Sequence, residues 1–396
     1  MYKPIRAIAA AVFMLPLVAS ADEAPRPGDG PGAPGPATVP SVTANAPGAA
    51  EGAKPGEPAR PPPWYSAVTV NGLVSGYYQA RLDAAQDAPL TGRAFDAPLG
   101  FTLDQALLSA SMAPGPVGFR LDLLFGNTNS VIDAISASAA GTTGPTVANH
   151  VLQAYAALKL GPAELNVGRF VTSASAEVVP VKDNWLYSRS LLFNLVPVTH
   201  TGARVTVPVT DTITVQGSVV DGWDAVTSPL PGKTGELQIA YSGPNATTLA
   251  ITSYIGDNPT VWSGAPNTTG KLRTLVDAVA GTTVGPLGLS LNADWANEAA
   301  DAWYGFSAMA RYALPGDFLR VTGRGEYVRD CSGARFGTGK DTEVWEVTTG
   351  LSVPVASNAE IRAELRFDKA TRALFTPASA PKDSQATATL AALAWF

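Results

Sequence analysis

The sequence predicts an all-β chain closed into a transmembrane, up-and-down antiparallel barrel of about 16 strands, with about 14 as the alternative. Three observations predict it. From Ser66 onward apolar and polar residues alternate with period two, as strands with one greasy and one polar face require. The connections between those strands alternate short and long. A short apolar leader opens the chain, and no later segment supplies the roughly 20 consecutive apolar residues of a membrane helix.

The leader comes first. Lys3 and Arg6 precede the apolar core Ile8 to Ala21, and Ala19-Ser20-Ala21 is a small-residue cleavage pattern, so residues 1–21 read as an export signal. Pro16 and the short apolar stretch argue against an anchoring helix. Residues 22–63 are almost wholly Ala, Pro and Gly, ending in "PARPPPW" at Trp64. Such a stretch buries too little apolar area to offset chain entropy and reads as a disordered periplasmic linker. The barrel is expected over 64–396.

Strand candidates fall near 66–80, 101–112, 117–126, 151–160, 163–169, 200–207, 212–221, 235–241, 246–255, 272–281, 287–296, 302–313, 317–329, 343–353, 359–369 and 385–396. Val117, Phe119, Leu121, Leu123 and Phe125 alternate with Arg120 and Asp122; Leu287, Leu289, Leu291 and Trp295 alternate with Ser290, Asn292 and Asp294. Every even strand but the last is followed by a tight turn containing proline, such as "APGP" at 113–116, "SGPN" at 242–245 and "LPG" at 314–316. Proline presets such turns and removes a donor. Odd strands lead into longer polar or Gly-rich connections, 297–301 excepted. Short periplasmic turns opposite long external loops are the mark of an outer-membrane barrel. A soluble β-sandwich or propeller also alternates, but has no reason to sort its loops by side. The strand "ATLAALAWF", ending at Phe396, is similar to the terminal aromatic signal read by barrel-assembly machinery.

In "EIRAELRFD" (Glu360 to Asp368) five charges share one face, and Ile361, Ala363, Leu365 and Phe367 share the other. A barrel sends the second face to outer-membrane lipid, where an Arg at mid-depth costs roughly 2–4 kcal/mol, and the first to a water-filled lumen. A lumen so charged argues against a dry interior. Tracing all faces puts Arg120, Lys159, Arg204, Arg311, Arg320, Arg324, Arg362 and Arg366 on the pore wall with Asp122, Glu164, Glu236, Asp294, Glu326, Glu346, Glu360, Glu364 and Asp368. Eight basic against nine acidic side chains predicts no strong ion selectivity. Arg311, Arg320, Arg324, Arg362 and Arg366 share one arc, which either sets a transverse field across the pore or simply pairs with the acids along the wall.

The connection 170–198 is the longest and mixes apolar with charged residues. Val178, Val179, Trp185, Leu191, Leu192 and Phe193 disfavour a loop waving in water. It is expected to fold into the lumen and constrict it at Glu177, Lys182, Asp183 and Arg189, or else to pack outside on its neighbours.

Other chemistries find little support. The net charge of −6 with scattered basic residues excludes a nucleic-acid partner. A single cysteine, Cys331, excludes an internal disulfide framework, and two histidines without a cysteine cluster disfavour zinc. No metal or cofactor is expected. "GARFGTGKD" at 333–341 lacks phosphate-loop spacing, and His200 in "THTG" has no Ser/Asp arrangement around it. No catalytic residue is assigned, and an enzyme is not expected, although barrel-borne lipid hydrolases exist.

The middle of the chain carries "GRF" at 168–170, Glu177, Asn184, "YSRS" at 187–190, Pro197, "THTGAR" at 199–204 and "DGWD" at 221–224, in that order. This set resembles the OmpL-like family of β-barrel porins, over about 66–396. The resemblance implies an outer-membrane barrel with a pore function and leaves the solute unspecified. The expected function is therefore passive diffusion of small polar solutes or ions. The alternative is a non-conducting structural or adhesive barrel acting through its external loops. Barrels of this size are often trimers, but the sequence marks no subunit face.

Overall fold

The computed structural model describes residues 63–83, 90–139, 144–227, 232–260, 266–375 and 382–396. The expected leader and all but the last residue of the linker lie outside them.

Sixteen strands form one closed antiparallel sheet, each pairing with its sequence neighbours and β1 with β16. They are β1 (Thr69–Arg81), β2 (Gly100–Met112), β3 (Val117–Phe125), β4 (Val151–Leu160), β5 (Ala163–Val171), β6 (Thr199–Pro208), β7 (Ile213–Val220), β8 (Thr234–Gly243), β9 (Thr247–Thr260), β10 (Pro266–Val284), β11 (Leu287–Glu298), β12 (Asp301–Ala313), β13 (Arg320–Asp330), β14 (Thr342–Ala356), β15 (Ala359–Ala370) and β16 (Ser384–Trp395). Each expected strand overlaps one of these, so the 14-strand alternative falls. The start of β13 moves from 317 to Arg320, because Gly316 and Asp317 adopt left-handed conformations (φ 80° and 52°) that end the preceding hairpin. The connection after β3 holds a helix, α1 (Asn127–Ala139), that the sequence reading left as loop. Ile132 and Ala139 are buried on it, but small polar residues between them blur the helical period.

The two faces separate cleanly. On β11, Leu289, Leu291 and Trp295 are 40%, 56% and 48% exposed, whereas Ser290, Asn292 and Asp294 are each 4% exposed. Repeated around the sheet, the outward set makes an apolar belt far larger than the few hundred Å² a water-soluble surface tolerates. Lipid is the solvent that suits it.

The core lies inside the barrel. Leu191, Leu192, Leu195 and Val196 pack on Tyr254, Leu275, Ala296, Trp303, Val328, Val344 and Ala370, one inward residue from each of β9 to β15. Val179, Val181, Tyr187, Phe193 and Val198 pack on the β1–β2–β16 side against Leu73, Tyr77, Leu107, Ala391 and Leu393. The apolar residues of 172–198 thus have the same fate as a domain core, without a second layer of secondary structure.

Candidate functional site

Residues 172–198 join β5 to β6 and contain only two short 3-10 turns, at Val181–Asp183 and Leu192–Leu195. A stretch so irregular leaves its backbone polar groups to be satisfied from elsewhere. Inward-facing wall side chains do this. Gln105 on β2 donates to the Val179 carbonyl (2.7 Å) and accepts from the Val181 amide (3.1 Å). The Asn292 carboxamide oxygen on β11 accepts from the Ala176 amide (3.0 Å), and Glu326 on β13 accepts from that of Leu191 (2.8 Å). Glu364 on β15 accepts from the amides of Tyr187 and Ser188. Arg362 donates to the carbonyls of Val181 (3.0 Å) and Leu186 (3.3 Å), and Arg366 to that of Arg189 (2.6 Å).

Local irregularity makes some of these seats. The β1–β2 register shifts between Ser75 and Gly76, so the adjacent Asp104 and Gln105 are both buried inward. Asp104 accepts a bond from the Tyr187 hydroxyl (3.0 Å). Burial, with that carboxylate beside it, pushes the phenol well above its ordinary pKa. Two wall glycines make room. A Cβ on Gly288 would come 2.9 Å from the Trp185 ring, and one on Gly350 would come 2.4 Å from Leu186.

Cross-strand register sorts the charges of this arc by height. Glu326, Glu346 and Asp368 share one level on β13, β14 and β15, while Arg324, Thr348 and Arg366 share the next. Below follow Thr322, Gly350 and Glu364, then Arg320, Ser352 and Arg362. The sign alternation in "EIRAELRFD" is one column of that pattern. Arg324 bonds Glu177 of the segment (3.0 Å) and Glu346 (3.1 Å), with Glu326 at 3.5 Å. Arg366 pairs with Asp368 (2.8 Å), and Arg320 and Arg362 both pair with Glu360. Arg311 has its guanidinium 4.8 Å from the Trp185 ring. Four of the five arginines of the arc therefore pair with acids along the wall, and Arg311 rests on Trp185.

The expectation that the charged face of "EIRAELRFD" meets water is corrected. Glu360, Arg362, Glu364, Arg366 and Asp368 are at most 5% exposed. They are covered by the segment and by each other, and tolerate this because each charge is bonded. Glu177 and Arg189 are likewise buried within these bonds, whereas Lys182 and Asp183 pair with one another (2.7 Å) and keep access to solvent.

The opposite arc differs. On β3 to β7 the inward residues Arg120, Tyr155, Glu164, Asn166, Thr206 and Gln216 are half-buried. Arg120 pairs with Asp122 (2.8 Å). Arg204 reaches Glu236 (3.4 Å) and the Val171 carbonyl (3.1 Å), with its guanidinium 3.9 Å from the Phe170 ring. His200 is buried, stacks on Tyr254 at 5.0 Å and bonds the Gly222 carbonyl through Nδ1 (3.0 Å), as a structural histidine would. Among the described residues, no three His, Cys, Asp or Glu side chains converge as metal ligands.

The sequence reading missed Gln105, Asn292, Asp104 and the glycine seats. Neutral amides on a strand carry no distinctive signal. Glycines inside strands do, because they mark close approach of another chain.

Comparison with known proteins agrees with this architecture. Residues 67–396 match the model of the family described as "putative beta-barrel porin-2, OmpL-like". No curated protein matches the chain. Among solved structures, OmpT of Vibrio cholerae in its trimer form is similar with a TM-score of 0.54 at 13% identity, over 83% of this chain and 99% of that one. An anion-selective porin from Comamonas acidovorans has a TM-score of 0.54 at 12% identity, over 83% and 99%. The outer-membrane channel DcaP of Acinetobacter baumannii has a TM-score of 0.54 at 12% identity, over 83% and 97%. At such identities the likeness is one of fold, and the family match carries the assignment: the chain belongs to the OmpL-like β-barrel porin family of the outer membrane.

Proposed function

We propose that the chain is a passive diffusion channel for small polar solutes and ions. Segment 170–198 narrows its lumen from one side, and the passage runs along β3 to β7. The observation that carries this reading is the contrast in accessibility. Most inward charges of β13 to β15 are sealed by the segment, while on β3 to β7 half-open side chains such as Glu164, Asn166, Thr206 and Gln216 stand among buried ones such as Asp122 and Ser218. Along β3 to β8 the part-exposed Arg120 is offset by the buried Asp122, and the buried Arg204 by Glu236, which favours weak ion selectivity. Glu177 and Arg189 act as struts that fix the constriction, and Lys182 and Asp183 form its solvent-facing rim. Among the described residues neither histidine bonds a serine, threonine or cysteine, which supports a channel without enzymatic activity.

On this reading residues 1–21 are removed on export, 22–63 tether the barrel on its periplasmic side, and 64–396 insert into outer-membrane lipid with the barrel-assembly machinery. A homo-oligomer fits the trimer form of the similar OmpT.

The test is single-channel recording of the refolded chain in a planar bilayer. Stable stepwise conductance with weak selectivity in a salt gradient is expected. A protein that inserts but stays silent would instead fit the second reading, a plugged barrel acting through its external loops, which the sealed side chains of β13 to β15 favour.

A further inference from the structure

Nearly every buried carboxylate of the inner wall is offset by a guanidinium or by backbone amides. Asp277 on β10 and Asp294 on β11 have no guanidinium partner among the described residues, although the Ser175 amide reaches Asp277. They are direct cross-strand partners, 0% and 4% exposed, with their carboxyl groups in contact. The Asn292 amide nitrogen donates to both, at 2.6 Å to Asp277 Oδ2 and 3.1 Å to Asp294 Oδ1. Among the described residues neither makes an ion pair. Asp277 Oδ1 and Asp294 Oδ2 are buried without a hydrogen-bond partner.

The cross-strand neighbours on either side are uncharged. Across β9 the neighbour of Asp277 is Thr252, and across β12 the neighbour of Asp294 is Gly305. Ser307 on β12 lies opposite Asn292, and its buried hydroxyl is also without a partner. Beyond Ser307 stands Glu326, a further acid, whose Oε2 accepts from Leu191 and faces Arg324 and whose Oε1 is unpartnered. Two touching carboxylates in such a place cannot both stay charged without a cation, and the alternative is one proton shared between them. Oxygen donors without nitrogen or sulfur suit a hard cation.

We propose that Asp277, Asp294 and Ser307 hold one hard divalent cation of the calcium–magnesium class, bridging β10, β11 and β12 beside Ala176 of the lumen segment. The ion neutralises the pair, completes its unpartnered oxygens and ties three strands to the point where the segment crosses the wall. Water or nearby oxygens fill the remaining coordination. This assignment stands apart from the channel reading, because its readout is ion binding and not conductance.

The test is equilibrium binding of Ca²⁺ and Mg²⁺ to the full chain after chelation, with thermal unfolding followed in parallel. Wild type is expected to bind a single ion and to unfold at higher temperature when loaded. Asp294→Asn should weaken binding by roughly tenfold or more, since affinity follows ligand charge. Asn292→Asp separates the ion from its rival, a proton shared by the two carboxyls. A third carboxylate tightens binding and raises ion-dependent stability if a cation sits there. It lowers stability, with no response to Ca²⁺, if a proton does. Should Asp294→Asn fail to fold, Ser307→Ala serves as the milder variant and should weaken binding while the barrel forms. No stoichiometric binding in wild type, or binding untouched by these substitutions, overturns the proposal.

Discussion

Two arcs of the same wall have been put to opposite uses. On β13 to β15 the inward side chains form stacked rows of arginine and carboxylate that end in bonds to the backbone of 172–198. On β3 to β7 the inward charges are sparser, and half-open polar residues such as Asn166, Thr206 and Gln216 stand among buried ones. The strands differ as well. Those of β3 to β7 have 8 to 10 residues, about what a bilayer crossing needs. Those of β9 to β15 have 11 to 19 and carry the extra inward level that packs on Leu191, Leu192 and Leu195. Charge inside a barrel is therefore not itself the sign of an aqueous surface. Density and alternation of sign distinguish a sealed wall from a lining.

The strongest way to break the difference is Arg324→Ala. It leaves Glu177, Glu326 and Glu346 buried around a missing guanidinium, and removal of one partner from such a network costs about 3–5 kcal/mol. Denaturant unfolding should show a loss of that order, and conductance should rise as the segment loosens. Gly350→Leu acts on the same arc by crowding. Its side chain would enter the space of Leu186, with an overpacking cost of about 1–3 kcal/mol and noisier single-channel current.

Arg120→Ala tests the other arc. Arg120 is part-exposed, but its loss leaves the buried Asp122 with Gln153 as donor, so stability should fall by about 1–2 kcal/mol while permeability shifts toward cations, measured as reversal potential in a salt gradient.

The smallest effect is at Asp224, in the connection after β7. Burial holds its carboxyl above the usual range, although the amides of Val198 and Thr199 bond it at 2.9 Å. A raised carboxylate binds its proton more tightly when folded, so its contribution falls as pH rises from the unfolded value through the folded one. Asp224→Asn keeps the acceptor and should flatten that slope, leaving stability at neutral pH equal or higher. Asp96 has the opposite sign. Burial alone would raise it, but Arg93 and Arg366 hold it below its ordinary value. Its contribution is lost as pH falls through that lowered value, and thermal unfolding against pH separates the two.

The barrel was legible because lipid and lumen impose period two on every strand, and because prolines punctuate the tight turns. Strand ends such as those of β4 and β15 could be read within a residue, since alternation and turn chemistry agree there. The face assignment of Arg324, Glu326, Arg362, Glu364 and Arg366 was equally legible, while what they face was not. Hydrogen bonds to the Val181, Leu186 and Arg189 carbonyls depend on the path of an irregular segment that has no period. Helix α1 escaped for a related reason, its small polar residues giving no apolar stripe.

The claim that the passage follows β3 to β7 is tested most directly by two single-cysteine barrels on a Cys331→Ser background, Thr206→Cys on the open arc and Thr322→Cys on the sealed one. Conductance is recorded while a charged thiol reagent is added. A stepwise fall in current is expected for Thr206→Cys and no reaction at Thr322→Cys, whose native threonine is 1% exposed. Rapid block at Thr322→Cys with none at Thr206→Cys would contradict it.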